Sequence, residues 1–266
     1  MKRLASVTMI LWCGAAASSD YPRVDEDIKA YDQHVAQLQK EFAKKPPAPD
    51  DKEWVKAKLQ HMVDVDQYAR GMTETPERRK YTDEERFEFN QRMPYPAVDQ
   101  KNTADLKELL KIYSWFTISE FGWEADKNAW LLVQHADHDA PFQRQVLTIL
   151  EPLAAKGETS PKNFAYLYDR VASSFQNPSE RKPQRYGTQG MCSGPGTWEP
   201  LPIEEPEKLD ERRATVGLPP EAEYQKGFAT ICHESTEETM RRAIEAAKKK
   251  YGSDSMDAAP RQSTPK

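Results

Sequence analysis

Gln134-His135-Ala136-Asp137-His138-Asp139 puts two imidazoles and two carboxylates within six residues, directly after the apolar run Ala129-Trp130-Leu131-Leu132-Val133. An imidazole changes charge near neutral pH, so one oriented by a carboxylate can serve as a general base. The same residue types ligate metals, but His135, His138 and Asp139 would share a face only along an unbroken helix. Pro141 opposes that continuation, because proline removes a backbone donor and disfavours helical geometry in the residue before it. The stretch therefore reads as an interhelical turn that holds no metal. Asp139 is placed to cap the following helix and His138 to be structural or solvated. His135 and Gln134, next to the buried run, remain as candidates for chemistry.

Four other places interrupt an apolar pattern with polar groups. Asp66-Gln67-x-x-Arg70 extends the buried stripe of one helix, and Asp169-Arg170 lies inside Ala165-Tyr166-Leu167-Tyr168 and Val171-Ala172. Gln184, Tyr186, Thr188 and Gln189 surround Gly187, where a missing side chain permits close backbone approach. Arg212 and Arg213 follow on a short helix. Guanidinium forks bind carboxylate or phosphate in a bidentate way, and glutamine amides read neutral hydrogen-bonding groups. In this reading His135 is the base, with Asp169 or Asp66 orienting it and Asp137 a further carboxylate. Arg70, Arg170 and Arg212 are anion contacts, and Gln67, Gln134, Gln184, Tyr186, Thr188, Gln189 and Arg213 complete the lining. No serine or cysteine has a motif that marks it as a nucleophile, and no cofactor is expected.

The elements that must position these groups are mostly helices. Ile28, Tyr31, Val35, Leu38 and Phe42 recur at helical spacing, and Lys44-Lys45-Pro46-Pro47-Ala48-Pro49 then forms a stiff linker. Trp54, Val55, Leu59, Met62 and Val63 mark a second helix that runs into Asp66 and Arg70. Thr82-x-x-Glu85 is a capping-box pattern for a short helix ending before Pro94, and Thr103 is read as the start of the next. Ala125 to Val133, Pro141 to Leu153 and Phe164 to Ser173 give three more. Gly217 closes a short helix containing Arg212 and Arg213, and Ser235-x-x-Glu238 caps the last, with Met240, Ile244, Ala247 and Tyr251 on one face. Residues 184–203 lack helical periodicity and suggest a loop or a small β-hairpin turning at Gly194-Pro195-Gly196. The fold class is mainly α. The expected organisation is a leader (1–17), an N-terminal helix with its linker (18–50), a core helical domain (51–225), a C-terminal helix packed on it (226–252) and a disordered tail (253–266).

Basic Lys2-Arg3, a short apolar stretch and Ala15-Ala16-Ala17 have the three-part pattern of a secretory signal peptide. Trp12 before Cys13 argues against a lipoprotein site. The protein is therefore expected to be exported, periplasmic or secreted. Cleavage leaves Cys192 and Cys232, which in an oxidising compartment suggest a disulfide. The net charge of −5 argues against nucleic acid as a partner, and no interior run has the roughly 18 apolar residues of a spanning helix.

The ordered set Asp66-Gln67-x-x-Arg70, Gln134-His135-Ala136-Asp137, Asp169-Arg170-Val171, Gln184-x-Tyr186-Gly187-Thr188-Gln189 and Arg212-Arg213 with Gly217-Leu218 resembles an uncharacterised bacterial domain family of unknown function, over about Lys52 to Tyr224. Gly122-Trp123-Glu124 stands where similar proteins often have Gly-Trp-Pro. The resemblance implies that these polar positions belong together; it implies no activity. Three readings follow. One is a pocket for a small polar, anionic ligand, with hydrolysis as its chemistry. A second is an exported inhibitor or immunity protein that neutralises a secreted toxin by binding it. The third is a polar network that only joins helices.

Overall fold

Helix α2 (Lys52–Gly71) connects two apolar cores. Its Val55, Leu59, Met62 and Val63 recur at three- and four-residue intervals, so all four face the larger core. One turn later its Ala69 belongs to a smaller core with Val24, Tyr31, Phe89 and Met93. Asp66 falls between the two sets. The computed structural model describes residues 20–71, 81–174 and 177–251. The expected leader and C-terminal tail lie outside these residues.

Helix α1 (Pro22–Phe42) begins with proline in its first turn and packs along α2. Phe42 at its end stacks on His61, with ring centroids 4.5 Å apart. Helix α3 (Asp83–Arg92) has the anticipated capping box: Glu85 N donates to Thr82 Oγ1 at 3.2 Å, and Thr82 N donates to Glu85 Oε2 at 2.9 Å. Helix α4 (Tyr95–Leu110) starts eight residues before Thr103, which corrects the sequence boundary. Pro96 lies in its first turn, where proline lacks only a donor that would have had no intrahelical partner.

A short α5 (Ile118–Phe121) leads through Gly122 into α6 (Trp123–Gln134). A single 3₁₀ turn (Asp137–Asp139) then joins it to α7 (Ala140–Ala155), so the helix does break before Pro141. Asp139 accepts from Phe142 N at 3.1 Å, the cap anticipated for it, and His138 is exposed. Helix α8 (Pro161–Ser173) packs on α6 and α7 and completes the larger core, where Leu106, Phe116, Leu132, Val146 and Leu167 are buried.

The irregular segment contains a two-stranded antiparallel hairpin, β1 (Gly190–Gly194) and β2 (Thr197–Pro200), turning at Pro195-Gly196. Gly190 is required there, since an added Cβ would lie 2.2 Å from the Glu199 carbonyl oxygen and 2.3 Å from the Trp198 ring. Helices α9 (Leu209–Thr215) and α10 (Glu221–Lys226) follow, the second without a clear periodic signal in sequence. Cys192 and Cys232 form a disulfide that links β1 to the segment before α11 (Thr236–Tyr251). Helix α11 rests on α3 and β1, partly through Lys249–Glu84 and Lys250–Glu88 ion pairs. Its Met240 and Ile244 remain exposed. No described helix is long and apolar enough to cross a membrane.

Candidate functional site

The polar positions singled out in the sequence separate into two linked groups. The first lies where α2, α4 and the end of α6 meet. Asp66 is 1% exposed, and His135 Nδ1 is 2.9 Å from both of its carboxylate oxygens. Arg70 Nε lies 3.0 Å from the same Nδ1, so this nitrogen donates to Asp66 in one tautomer and accepts from Arg70 in the other. Nε2 has no hydrogen-bond partner among the described residues, and it is an acceptor when the proton sits on Nδ1. Gln67 Nε2 also donates to Asp66, at 2.8 Å.

Arg70, one turn further along α2, bridges Asp66 and a residue the sequence reading missed. Its Nε is 3.3 Å from Asp66 Oδ1, and its Nη2 is 2.5 Å from Asp99 Oδ1 on α4. Its guanidinium also lies over the Tyr95 ring, 5.3 Å from the centroid. Asp99 was missed because the sequence boundary of α4 at Thr103 left it in a loop without a face; a helix starting at Tyr95 points it toward α2.

The two carboxylates around Arg70 are shifted in opposite directions. Burial alone would raise the Asp66 carboxyl, but hydrogen bonding and charge from His135, then Gln67 and Arg70, hold it below its usual value. Burial pushes Asp99 above its usual value and nearby Asp66 adds to this, against the pull of Arg70. Carboxylates driven apart in this way can carry separate proton-transfer roles.

Asp66, Asp99 and His135 each present a ligand atom, all within 4.8 Å of one another. Such a set could hold a metal, and it was not visible along the chain because it draws on three helices. Arg70 already supplies a positive charge among these atoms. A metal would have to displace it.

Two residues past His135, Asp137 leads to the second group. Arg170 Nε donates to Asp137 Oδ1 at 2.9 Å and its Nη2 pairs with Oδ2, a bidentate contact. Arg170 Nη1 reaches Gln189 Oε1 at 3.1 Å, and Gln189 Nε2 reaches Thr188 Oγ1 at 3.2 Å. Gln143, buried on α7, donates to the Val133 carbonyl at 3.0 Å and to Asp137 at 3.2 Å. Gln134 is buried on α6, with no hydrogen bond from its side-chain amide among the described residues.

Beyond Gln189 the network is internal. Asp169, fully buried, accepts from the backbone nitrogens of Arg185, Tyr186 and Thr188 at 2.9, 3.0 and 2.9 Å, and from Thr188 Oγ1 at 3.0 Å. Burial still leaves its pKa raised, opposed by these donors. Gly187, at φ +62°, lets the loop curl round this carboxylate. Gln184 donates to the carbonyls of Gln189 and Leu201 at 2.8 and 2.9 Å and accepts from Gln189 N at 2.6 Å. Arg213, fully buried, donates to the carbonyls of Pro219 and Tyr186, both at 2.6 Å. Arg212 donates to those of Arg185 and Glu205 at 2.8 and 3.2 Å.

These placements redistribute the expected roles. Asp66, not Asp169, orients His135. Asp169, Gln184, Tyr186, Thr188, Arg212 and Arg213 shape the loop after α8 and hold it to α9. Arg70 and Arg170 face carboxylates, so the surplus positive charge expected of an anion pocket is not there. Asp126 is a further missed group: fully buried, it accepts from Trp115 Nε1 at 2.7 Å and Asn163 Nδ2 at 3.2 Å, a helix-joining contact with no motif.

The fold and site define a helical domain with a partly open Asp–His pair backed by a clasped loop. This chain belongs to a family of unknown function, DUF6624, matched over residues 55–231. That range holds Asp66, Asp99, His135, Asp137, Arg170 and Gln189, and excludes α1 and α11. No curated protein and no solved structure matches the chain.

Proposed function

We propose that this is an exported protein in which His135, oriented by Asp66, acts as a general base on a small polar ligand, with hydrolysis as the reaction class. The observation that supports this is the bonding of the imidazole: Nδ1 lies 2.9 Å from a buried carboxylate, Nε2 has no partner among the described residues and the side chain is 18% exposed; with the proton on Nδ1, Nε2 accepts. An activated water or hydroxyl needs such an acceptor. With both flanking guanidiniums paired to carboxylates, the ligand is read as a neutral polar molecule rather than an anion. The Cys192–Cys232 disulfide and the leader pattern of residues 1–17 support export.

The test is hydrolysis of a panel of small neutral esters and amides by the purified protein and by His135→Gln. Loss of turnover at unchanged melting temperature supports the base role. No turnover by the parent protein, or equal turnover by the variant, overturns it. An alkaline-phosphatase fusion to residues 1–30 that stays inactive in a bacterial host would overturn export.

A second reading, an exported inhibitor of a secreted toxin, draws on exposed Met191, Met240 and Ile244 beside the hairpin. Charge reversals on α11 that abolish protection while His135→Gln does not would favour it.

A further inference from the structure

The linker after α1 packs beside α2 and α4 and leaves a groove of about 700 Å³, far from His135 in the chain and formed partly outside the family-matched residues. Its floor is apolar and aromatic: Phe42, Trp54, Leu109 and Ile112, the last 47% exposed. That volume suits one small organic molecule.

The charge of the groove runs against that of the protein. Lys45, Lys58, Lys101 and Lys111 line it, against Asp105 and Glu108, in a chain of net charge −5. Asp105 is shared: Lys58 lies 2.5 Å and Lys101 2.9 Å from its Oδ2. Lys111 pairs with Glu108, and Lys45 has no ion pair among the described residues. Positive charge is therefore in surplus beside an apolar floor.

We infer that this groove binds a small amphipathic carboxylate, its apolar body against Phe42, Trp54 and Ile112 and its carboxylate toward the lysines. The lysine surplus selects the anion, and the aromatic floor selects a flat or branched hydrocarbon body. The site is independent of the acid–base reading of His135.

The probes are 4-phenylbutyrate and its neutral counterpart 4-phenylbutan-1-ol, titrated into the full chain and followed by calorimetry and by tryptophan fluorescence. The carboxylate binds with one-to-one stoichiometry, at least about tenfold more tightly than the alcohol, and weakens as salt is raised. Ile112→Asp weakens it at least about tenfold with an unchanged circular dichroism spectrum. Lys45→Glu weakens the carboxylate more than the alcohol without touching the core. Equal binding of the two probes, no measurable binding of either, or indifference to both Ile112→Asp and Lys45→Glu overturns the inference.

Discussion

His135 Nδ1 lies 2.9 Å from both carboxylate oxygens of Asp66, across 69 residues of sequence. The contact joins the last turns of α2 to the end of α6, and its energetics are lopsided. Removing Asp66 leaves Arg70 and His135 facing a hole where a buried acceptor stood; removing His135 leaves Asp66 with Gln67 and Arg70 as donors. Asp66→Ala is expected to destabilise the fold by about 2–4 kcal/mol and His135→Gln by under about 1 kcal/mol. Urea denaturation of both variants decides it, and similar losses would mean the pair is chiefly a structural tie.

Asp66 and Asp99 should respond to pH in opposite senses. The folded-state pKa of Asp66 is depressed, so its stabilisation is present above the unfolded value and is lost as pH falls through the folded one. Asp99 is raised, so the native state is favoured while it is protonated and loses that advantage as pH climbs past its unfolded value toward its folded one. At pH about 7, Asp66→Asn is therefore destabilising, and Asp99→Asn is neutral or stabilising. Denaturation midpoints between about pH 3 and 7 test the pair, and a destabilised Asp99→Asn at neutrality contradicts this balance.

Asp169 accepts four hydrogen bonds from the loop after α8, three of them from backbone nitrogens. Asp169→Ala orphans those donors in a buried setting, for an expected loss of about 3–5 kcal/mol. Hydrogen exchange should show residues 184–189 losing protection first. A variant as stable as the parent would show that the loop holds its form without the clasp.

Arg70 already supplies a cation to Asp66, His135 and Asp99. A chelator should therefore leave the melting temperature of the parent protein unchanged. Arg70→Met removes the charge from the three donors, and added zinc should then raise the variant's melting temperature. A parent protein that loses stability on chelation would show that a metal, not the guanidinium, is the resident charge.

The disulfide closes a loop with a sequence separation of 40 residues and connects β1 to the approach to α11. Cys192→Ser with Cys232→Ser is expected to cost about 3–4 kcal/mol. Amide exchange in β1 and α11 should rise while α6 and α8 keep their protection. Uniform loss across the domain would mean the bridge supports the whole core.

Local patterns carried most of the secondary structure. The stripe Val55, Leu59, Met62, Val63 specified α2, Thr82 with Glu85 specified the start of α3, and Gly194-Pro195-Gly196 the hairpin turn, because each depends on neighbours a few residues away. The boundary of α4 was misread because proline ends a helix in one context and starts one in another, and only the packing of α4 on α2 separates these. Two cysteines outside the expected leader were enough to pair Cys192 with Cys232.

The division of the polar residues was not available from the chain. Asp66 and Asp169 look alike in sequence, each an acid interrupting an apolar helix stripe. Helix packing brings Asp66 against the imidazole of His135, whereas Asp169 meets the backbone of the loop at Gly187. Asp99 enters the first group only because α4 lies along α2. Periodicity fixes which face of a helix is buried, since side-chain direction follows the helical repeat. Which buried polar group meets which depends on the register between helices far apart in sequence, and that register is decided by the packing of both cores together.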